Sequence, residues 1–158
     1  MATKARCRAV GLASAHMELI ERLEAIEAIQ QLKARYFRTL DTKDWVGFRD
    51  VLTDDVVIDT TEDAGGAPSV GADAFIPRLL EAIGEATTVH HGHMAEIELT
   101  SPTTARGVWA MEDLIRWPPG APIESMHGWG HYLETYAKRP DGWRIATLKL
   151  TRLRVDFE

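Results

Sequence analysis

Up to about residue 86 the hydrophobic positions of this chain recur mainly every three or four residues, and beyond residue 87 every second residue. From Met17 to about Leu40, "MELIERLEAIEAIQQLKARYFRTL", Leu19, Leu23 and Ile26, then Ile29, Leu32, Tyr36 and Leu40, keep helical spacing without Gly or Pro. The polar break "DTKD" ends that helix, and Asp44 stands where it can cap a short second one, "WVGFRDVL". "DVVIDT" is β-branched and predicts a strand, and "EDAGGAPSVG" predicts a Gly/Pro loop. A third helix, "ADAFIPRLLEAIG", carries Phe75, Leu79 and Ile83 on one stripe. Pro77 is tolerated only in a first turn, which sets the start near Gly71 or Ala72.

The remainder is strand and turn. "TVHHGHMAEIELT", "TARGVWAMEDLIRW", "MHGWGHYLETYAKR" and "GWRIATLKLTRLRV" are separated by "SPT", "PPGAP" and "RPDG", all of them turn chemistry. Three N-terminal helices before a long antiparallel meander predict an α+β fold with the helices on one face of a curved, mainly antiparallel sheet. Strands of ~10 or more residues, against a usual ~5–6, must twist and curl, so we expect a cone-shaped half-barrel. Its pocket lies between sheet and long helix.

Composition narrows the class. A hydrophobic fraction of 45% and a charged fraction of 27% suit a globular domain, and a formal charge of −6 without a Lys/Arg cluster argues against nucleic acid. The single cysteine, Cys7, excludes an internal disulfide framework and a cysteine zinc cage, which fits a cytoplasmic protein. No apolar run approaches the roughly 20 residues that cross a bilayer. We therefore expect a flexible tail over residues 1–16 and one domain over 17–158.

The segments "RYFRTLDTKDW", "TVH" at 88–90, "WAMED" and "GWRIATLKLTRLRVDF" carry a resemblance. Over about residues 17 to 157 the chain resembles the SnoaL-like branch of the nuclear transport factor 2-like superfamily, most of all its dehydratase-type members, scytalone dehydratase and bile-acid 7α-dehydratase. The resemblance implies the same cone-shaped fold and a homodimer or homotrimer. Fold alone does not decide function in this superfamily, which also holds isomerases, epoxide hydrolases and binding modules.

Candidate chemistry follows from face and resemblance together. Tyr36 lies on the apolar stripe of the first helix and matches the catalytic tyrosine of bile-acid dehydratase. Two further tyrosines of scytalone dehydratase would fall at Leu40 and Thr60, so this is not that enzyme. Asp41 is about 140° round from Tyr36 on an ideal helix, so the helix must end near residue 40 for both to face one point. Strand alternation puts His91 and His93 with Ile97 and Leu99 on the core side and His90 outside, whereas the resemblance puts the catalytic histidine at His90. A β-bulge at Gly92 would reconcile the two.

Trp109, Met111 and Asp113 share one strand face, and Asp113 falls where the dehydratases pair a carboxylate with the histidine. His93, Trp109, His131 and Arg152 are expected to bind substrate, Arg152 through an anionic or carbonyl group. No metal is expected, because His91 and His93 lack further ligands nearby, and no cofactor is expected either.

The expected function is a cofactor-independent lyase, a dehydratase acting on a hydrophobic cyclic hydroxy-carbonyl compound, steroid-like or polyketide/aromatic. His90, oriented by Asp113 and by Asp41, would take the proton beside the carbonyl, with help from Tyr36. A ketosteroid-isomerase-like enzyme is the alternative, but its aspartate base would fall at Thr60. An Asp–Arg–Asp arrangement for epoxide-hydrolase chemistry does not assemble from the sequence. A non-catalytic binding or oligomerisation module is the remaining alternative.

Overall fold

The computed structural model describes the backbone from Ala2 to Glu158 and the side chains from Glu18 onward, Ala64 excepted. The expected tail over residues 1–16 and Cys7 thus lie outside the described side chains. The long helix, α1 (Ala2–Asp41), buries Ile29, Leu32, Tyr36 and Leu40 as its spacing predicts. Leu19 and Leu23 stay exposed, at 52% and 57%, so the apolar stripe is longer than the part of it that meets the sheet. Asp44 caps α2 (Trp45–Asp50), its Oδ1 accepting the Gly47 N–H at 2.9 Å.

Then follow β1 (Leu52–Asp59), α3 (Thr61–Ala64), β2 (Ser69–Val70) and α4 (Ala72–Ile83). The helix α4 starts at Ala72 as expected, but Pro77 falls in its second turn and not in the first. Neither α3 nor β2 is visible as periodicity, since each is too short to show a period. The meander is β3 (Thr87–Ser101), β4 (Thr104–Arg116), β5 (Ser125–Arg139) and β6 (Gly142–Phe157).

The six strands form one sheet in the order β2-β1-β6-β5-β4-β3. β3 to β6 pair antiparallel, while β1 runs parallel to β6, which makes the sheet mixed and leaves it unclosed at β2 and β3. Irregularities between Gly92 and Ala95 on β3 and beside Gly130 on β5 bend the long strands around α1. On β4 the odd residues from Ala105 to Ile115 face inward, and on β5 the even residues from Met126 to Tyr136 do. No described helix is long and apolar enough to cross a membrane.

The core contains charge. Lys33 and Glu134 form an ion pair with both side chains fully buried. The Lys33 ammonium lies over the rings of Tyr132, Tyr36 and Phe37, at 3.8, 4.0 and 4.7 Å from their centroids. Glu134 also accepts the Tyr136 hydroxyl at 2.6 Å, and Tyr136 accepts the Trp109 Nε1–H at 2.7 Å. Burial pushes the Lys33 ammonium below its usual range, with Glu134 opposing the shift. Removing one partner of such a pair strands the other, at a cost of about 3–5 kcal/mol, whereas replacing both costs much less. Lys33→Met should accordingly lower the chemical-denaturation free energy by about that amount. Lys33→Met with Glu134→Gln, which keeps an acceptor for Tyr136, should recover a substantial part. Equal losses in the single and double variants would refute the stranded-charge account.

Candidate active site

The site is built where the end of α1 meets the start of β3. A turn through Thr42 and Lys43, the latter at φ 60°, ends the helix and lets Asp41 turn toward the strand. The Asp41 carboxylate then takes three hydrogen bonds from β3. Oδ1 contacts the His90 Nδ1 at 2.6 Å and accepts the Thr88 hydroxyl at 2.8 Å, and Oδ2 accepts the His90 backbone N–H at 2.8 Å. Lys43 Nζ donates to the Thr88 hydroxyl at 3.0 Å. Burial pushes the Asp41 carboxyl up, but the bonds from His90 and Thr88 outweigh it and hold the group below the usual carboxylate range. An ionised Asp41 is an acceptor only, so the Nδ1 proton of His90 belongs in that bond and Nε2 carries the free lone pair.

His90 is buried on the inner face, its ring parallel to that of Phe37 at 6.5 Å. One extra residue in β3 between Gly92 and Ala95 makes this possible. Before the bulge Thr88 and His90 face inward, and after it Ala95, Ile97 and Leu99 do. His91 and His93 are consequently exposed. A cavity of about 390 Å³ between α1 and β3 is lined by His90 together with Lys33, Phe37, His93 and Trp109, while Tyr36, Tyr132, Asp113 and Arg152 are not part of its lining.

Register places Asp113 on β4 directly opposite His90. Asp113 does not orient the histidine, however. Its carboxylate is taken by Arg152, with Nη1 to Oδ1 and Nη2 to Oδ2 both at 2.8 Å. Asp41 has the orienting role instead, because α1 ends where β3 begins. Arg152 reaches Asp113 from β6 by crossing Gly128, where a Cβ would overlap Asp113 Oδ1 and lie 2.5 Å from Nη1. The other edge of the guanidinium, Nε and Nη2, donates to the two Asp63 oxygens of α3 at 2.7 Å each. An Asp–Arg–Asp grouping that does not assemble from the sequence is thereby present: Asp63, Arg152 and Asp113. The two carboxylates raise the Arg152 guanidinium further above its usual range, against the opposing effect of burial.

Tyr36 is buried, and burial pushes its phenol well up, with the charges of Glu134, Asp113 and Asp41 adding to the shift. It is therefore a proton donor in hydrogen bonds and not a phenolate. Tyr132, on the inner face of β5, is raised in the same way and stands 6.2 Å from Tyr36 between centroids. Neither hydroxyl, nor His90 Nε2, has a partner among the described residues. Both tyrosines are almost wholly buried, at 4% and 3% exposed.

Trp109 is buried with its indole N–H committed to Tyr136. His131 faces outward, because β5 buries its even residues, and does not line the pocket. The outer face carries a second histidine–carboxylate pair, His127 and Glu112 at 2.6 Å, apart from the inner group. Among the described residues no group of three or more His, Cys, Asp or Glu is arranged to hold a metal ion. The site residues not foreseen are Thr88, Lys33, Glu134, Tyr132 and Asp63.

A family model described as a SnoaL-like domain matches residues 21–149. Among solved structures the chain is similar to the protein Kfla4162 of Kribbella flavida, with TM-score 0.78 and 22% identity over 85% of this chain and 95% of that one. It is also similar to a scytalone dehydratase-like protein of Novosphingobium aromaticivorans, with TM-score 0.78 and 21% identity over 89% and 91% of the two chains. A hexachlorocyclohexane dehydrochlorinase, LinA type 2, gives TM-score 0.76 and 18% identity over 88% and 92%. At these identities the structures show a shared fold.

The Asp41 bonds make stability depend on pH. A carboxyl held below its unfolded value stabilises fully above that value, near pH ~4, and stops doing so as pH falls through the lower folded value. Asp41→Asn should lower stability by about 1–3 kcal/mol at neutral pH. Its deficit against the parent should shrink steadily below pH ~4. Denaturation curves across pH read both effects, and a deficit that stays constant down to acid pH would contradict the assignment.

Proposed function

The chain belongs to the SnoaL-like domain family of the nuclear transport factor 2-like superfamily, and from that premise we propose that it is a cofactor-independent carbon–oxygen lyase. Its substrate on this reading is a hydrophobic cyclic hydroxy-carbonyl compound, steroid-like or polyketide/aromatic. The observation that carries the proposal is the Asp41–His90 pair, with Nδ1 engaged at 2.6 Å, Nε2 without a partner among the described residues, and a cavity that His90 lines. The names of two fold relatives, a scytalone dehydratase-like protein and a dehydrochlorinase, both describe eliminations and support the same class.

In this mechanism His90 Nε2 takes the proton from the carbon beside the carbonyl. The ionised Asp41 steadies the imidazolium, and the electron pair of the C–H bond moves toward the carbonyl oxygen as an enolate. Tyr36, kept protonated by burial, donates a hydrogen bond to that oxygen. When the enolate collapses, the C–O bond to the hydroxyl breaks. The departing oxygen takes the proton back from His90 and leaves as water, which restores the neutral ring. The raised phenol makes imidazolium the better source of that proton.

A screen of hydroxylated cyclic ketones should find turnover. His90→Ala should then lower kcat by about 10²–10⁴-fold, and Tyr36→Phe by a smaller factor. Unchanged rates in both variants would discard the mechanism. A second reading, hydration of an epoxide, has the Asp63–Arg152–Asp113 grouping in its favour. Epoxides in the same screen, with turnover that survives His90→Ala, would select it.

The assembly we propose is a cytoplasmic homodimer or homotrimer formed through the outer face of the sheet, where Val108 and Leu133 lie opposite each other with Leu133 41% exposed. Sedimentation equilibrium tests this, and a monomer at every concentration would remove it.

A further inference from the structure

Arg152 holds two carboxylates of unlike standing. Asp113 sits on β4, paired on both sides, with its side chain 3% exposed. Asp63 is 29% exposed and belongs to α3, a helix of four residues. A helix that short cannot hold itself by its own hydrogen bonds. It is followed by Gly65 and Gly66 at φ 66° and 75°, where a Cβ would meet nothing within 4 Å. Three bonds fix α3 to β6, and all three come from Arg152: the two from its guanidinium to Asp63 and its backbone N–H to Glu62 Oε2 at 2.7 Å. With α3 in place the Arg152 side chain is only 9% exposed.

The covered group adjoins the reacting end of the site. His90 and Asp113 are directly opposed across β3 and β4, a spacing of about 4.5–5.5 Å between Cβ atoms. Arg152 lies on Asp113, touches Met111 Sδ at 3.5 Å, and its charge reaches the Tyr132 phenol. The edge of Arg152 that α3 covers thus belongs to a guanidinium whose other edge holds Asp113, the residue opposite His90.

We propose that Asp63 is an internal stand-in for a carboxylate carried by the substrate. The acid group of the ligand takes the Nε and Nη2 edge of Arg152, Asp63 leaves with α3, and Asp113 stays as the fixed counter-ion. The exchange conserves the two charge-assisted hydrogen bonds in the planar fork geometry and gives up the bond from the Arg152 backbone N–H to Glu62 as the four-residue helix is freed. Burial of the substrate ring supplies the driving force. A carboxylate fits better than a phosphate, because Asp113 remains bound beside it and would repel a second negative charge. This deepens the lyase reading, on which it rests, by making the cyclic hydroxy-carbonyl compound an acid.

The test is calorimetric titration of the full chain and of Asp63→Asn with cyclohexanecarboxylate, and with cyclohexanecarboxamide as the neutral match. Asp63→Asn should bind the carboxylate about five- to tenfold more tightly than the parent, with the carboxamide unchanged. In the parent chain, saturating carboxylate should speed amide hydrogen exchange over residues 61–66, a readout that needs no variant. Equal or weaker carboxylate binding by Asp63→Asn, no carboxylate binding by either form, or unaltered exchange over 61–66 would each overturn the proposal. Neither measurement depends on turnover, so this proposal and the His90 mechanism can fail separately.

Discussion

One carboxylate joins the two halves of this protein. Asp41 ends the helical part of the chain and accepts three hydrogen bonds from the first two inward-facing residues of the meander, Thr88 and His90. Two of these fix backbone and side chain of the same histidine, so the imidazole cannot rotate without breaking the joint between α1 and β3. The contact that positions the His90 imidazole is thus also a contact between helix and sheet. The same bonds hold this carboxylate, 22% exposed, below its ordinary range.

Much of this was legible in the residues. The apolar stripe through Ile29, Leu32, Tyr36 and Leu40, the cap at Asp44 and the turn chemistry between strands are local features, and local features survive into the fold. The need for a bulge near Gly92 could also be argued, because alternation and resemblance disagreed about His90 and only an extra residue reconciles them. His131 faces outward, and His93 meets the cavity from its exposed rim and not from the core side, for related reasons. A bulge resets the period on one strand, and the phase of β5 depends on neighbours that no local pattern contains. Of the two carboxylates expected to orient His90, Asp41 does so, whereas Asp113 stands opposite it but is taken by Arg152, which arrives from two strands away across a glycine.

Lys33 and Glu134 were overlooked despite a readable trace. Lys33 falls four residues after Ile29 and three before Tyr36, on the buried stripe itself, and Glu134 alternates with Tyr132 and Tyr136 on the inner face. Charged residues at core spacing are easily assigned to solvent, since few proteins enclose them. Here each is the other's counter-ion, and the aromatic rings around the ammonium supply its remaining solvation.

That enclosed pair bears on the site through Tyr36. The phenol ring rests against the Lys33 ammonium on one side, while its hydroxyl lies within reach of the charges of Glu134, Asp113 and Asp41. The cation lies against the ring, and burial, with the anions adding to it, keeps the proton on the oxygen. A phenol so placed can offer a hydrogen bond to negative charge that appears on a ligand, but it cannot readily become the base. His90 is left as the inner-face group with an unengaged lone pair beside an ionised carboxylate. The division of labour between imidazole and phenol follows from where the buried charges sit, and it holds whichever oxygen the ligand presents.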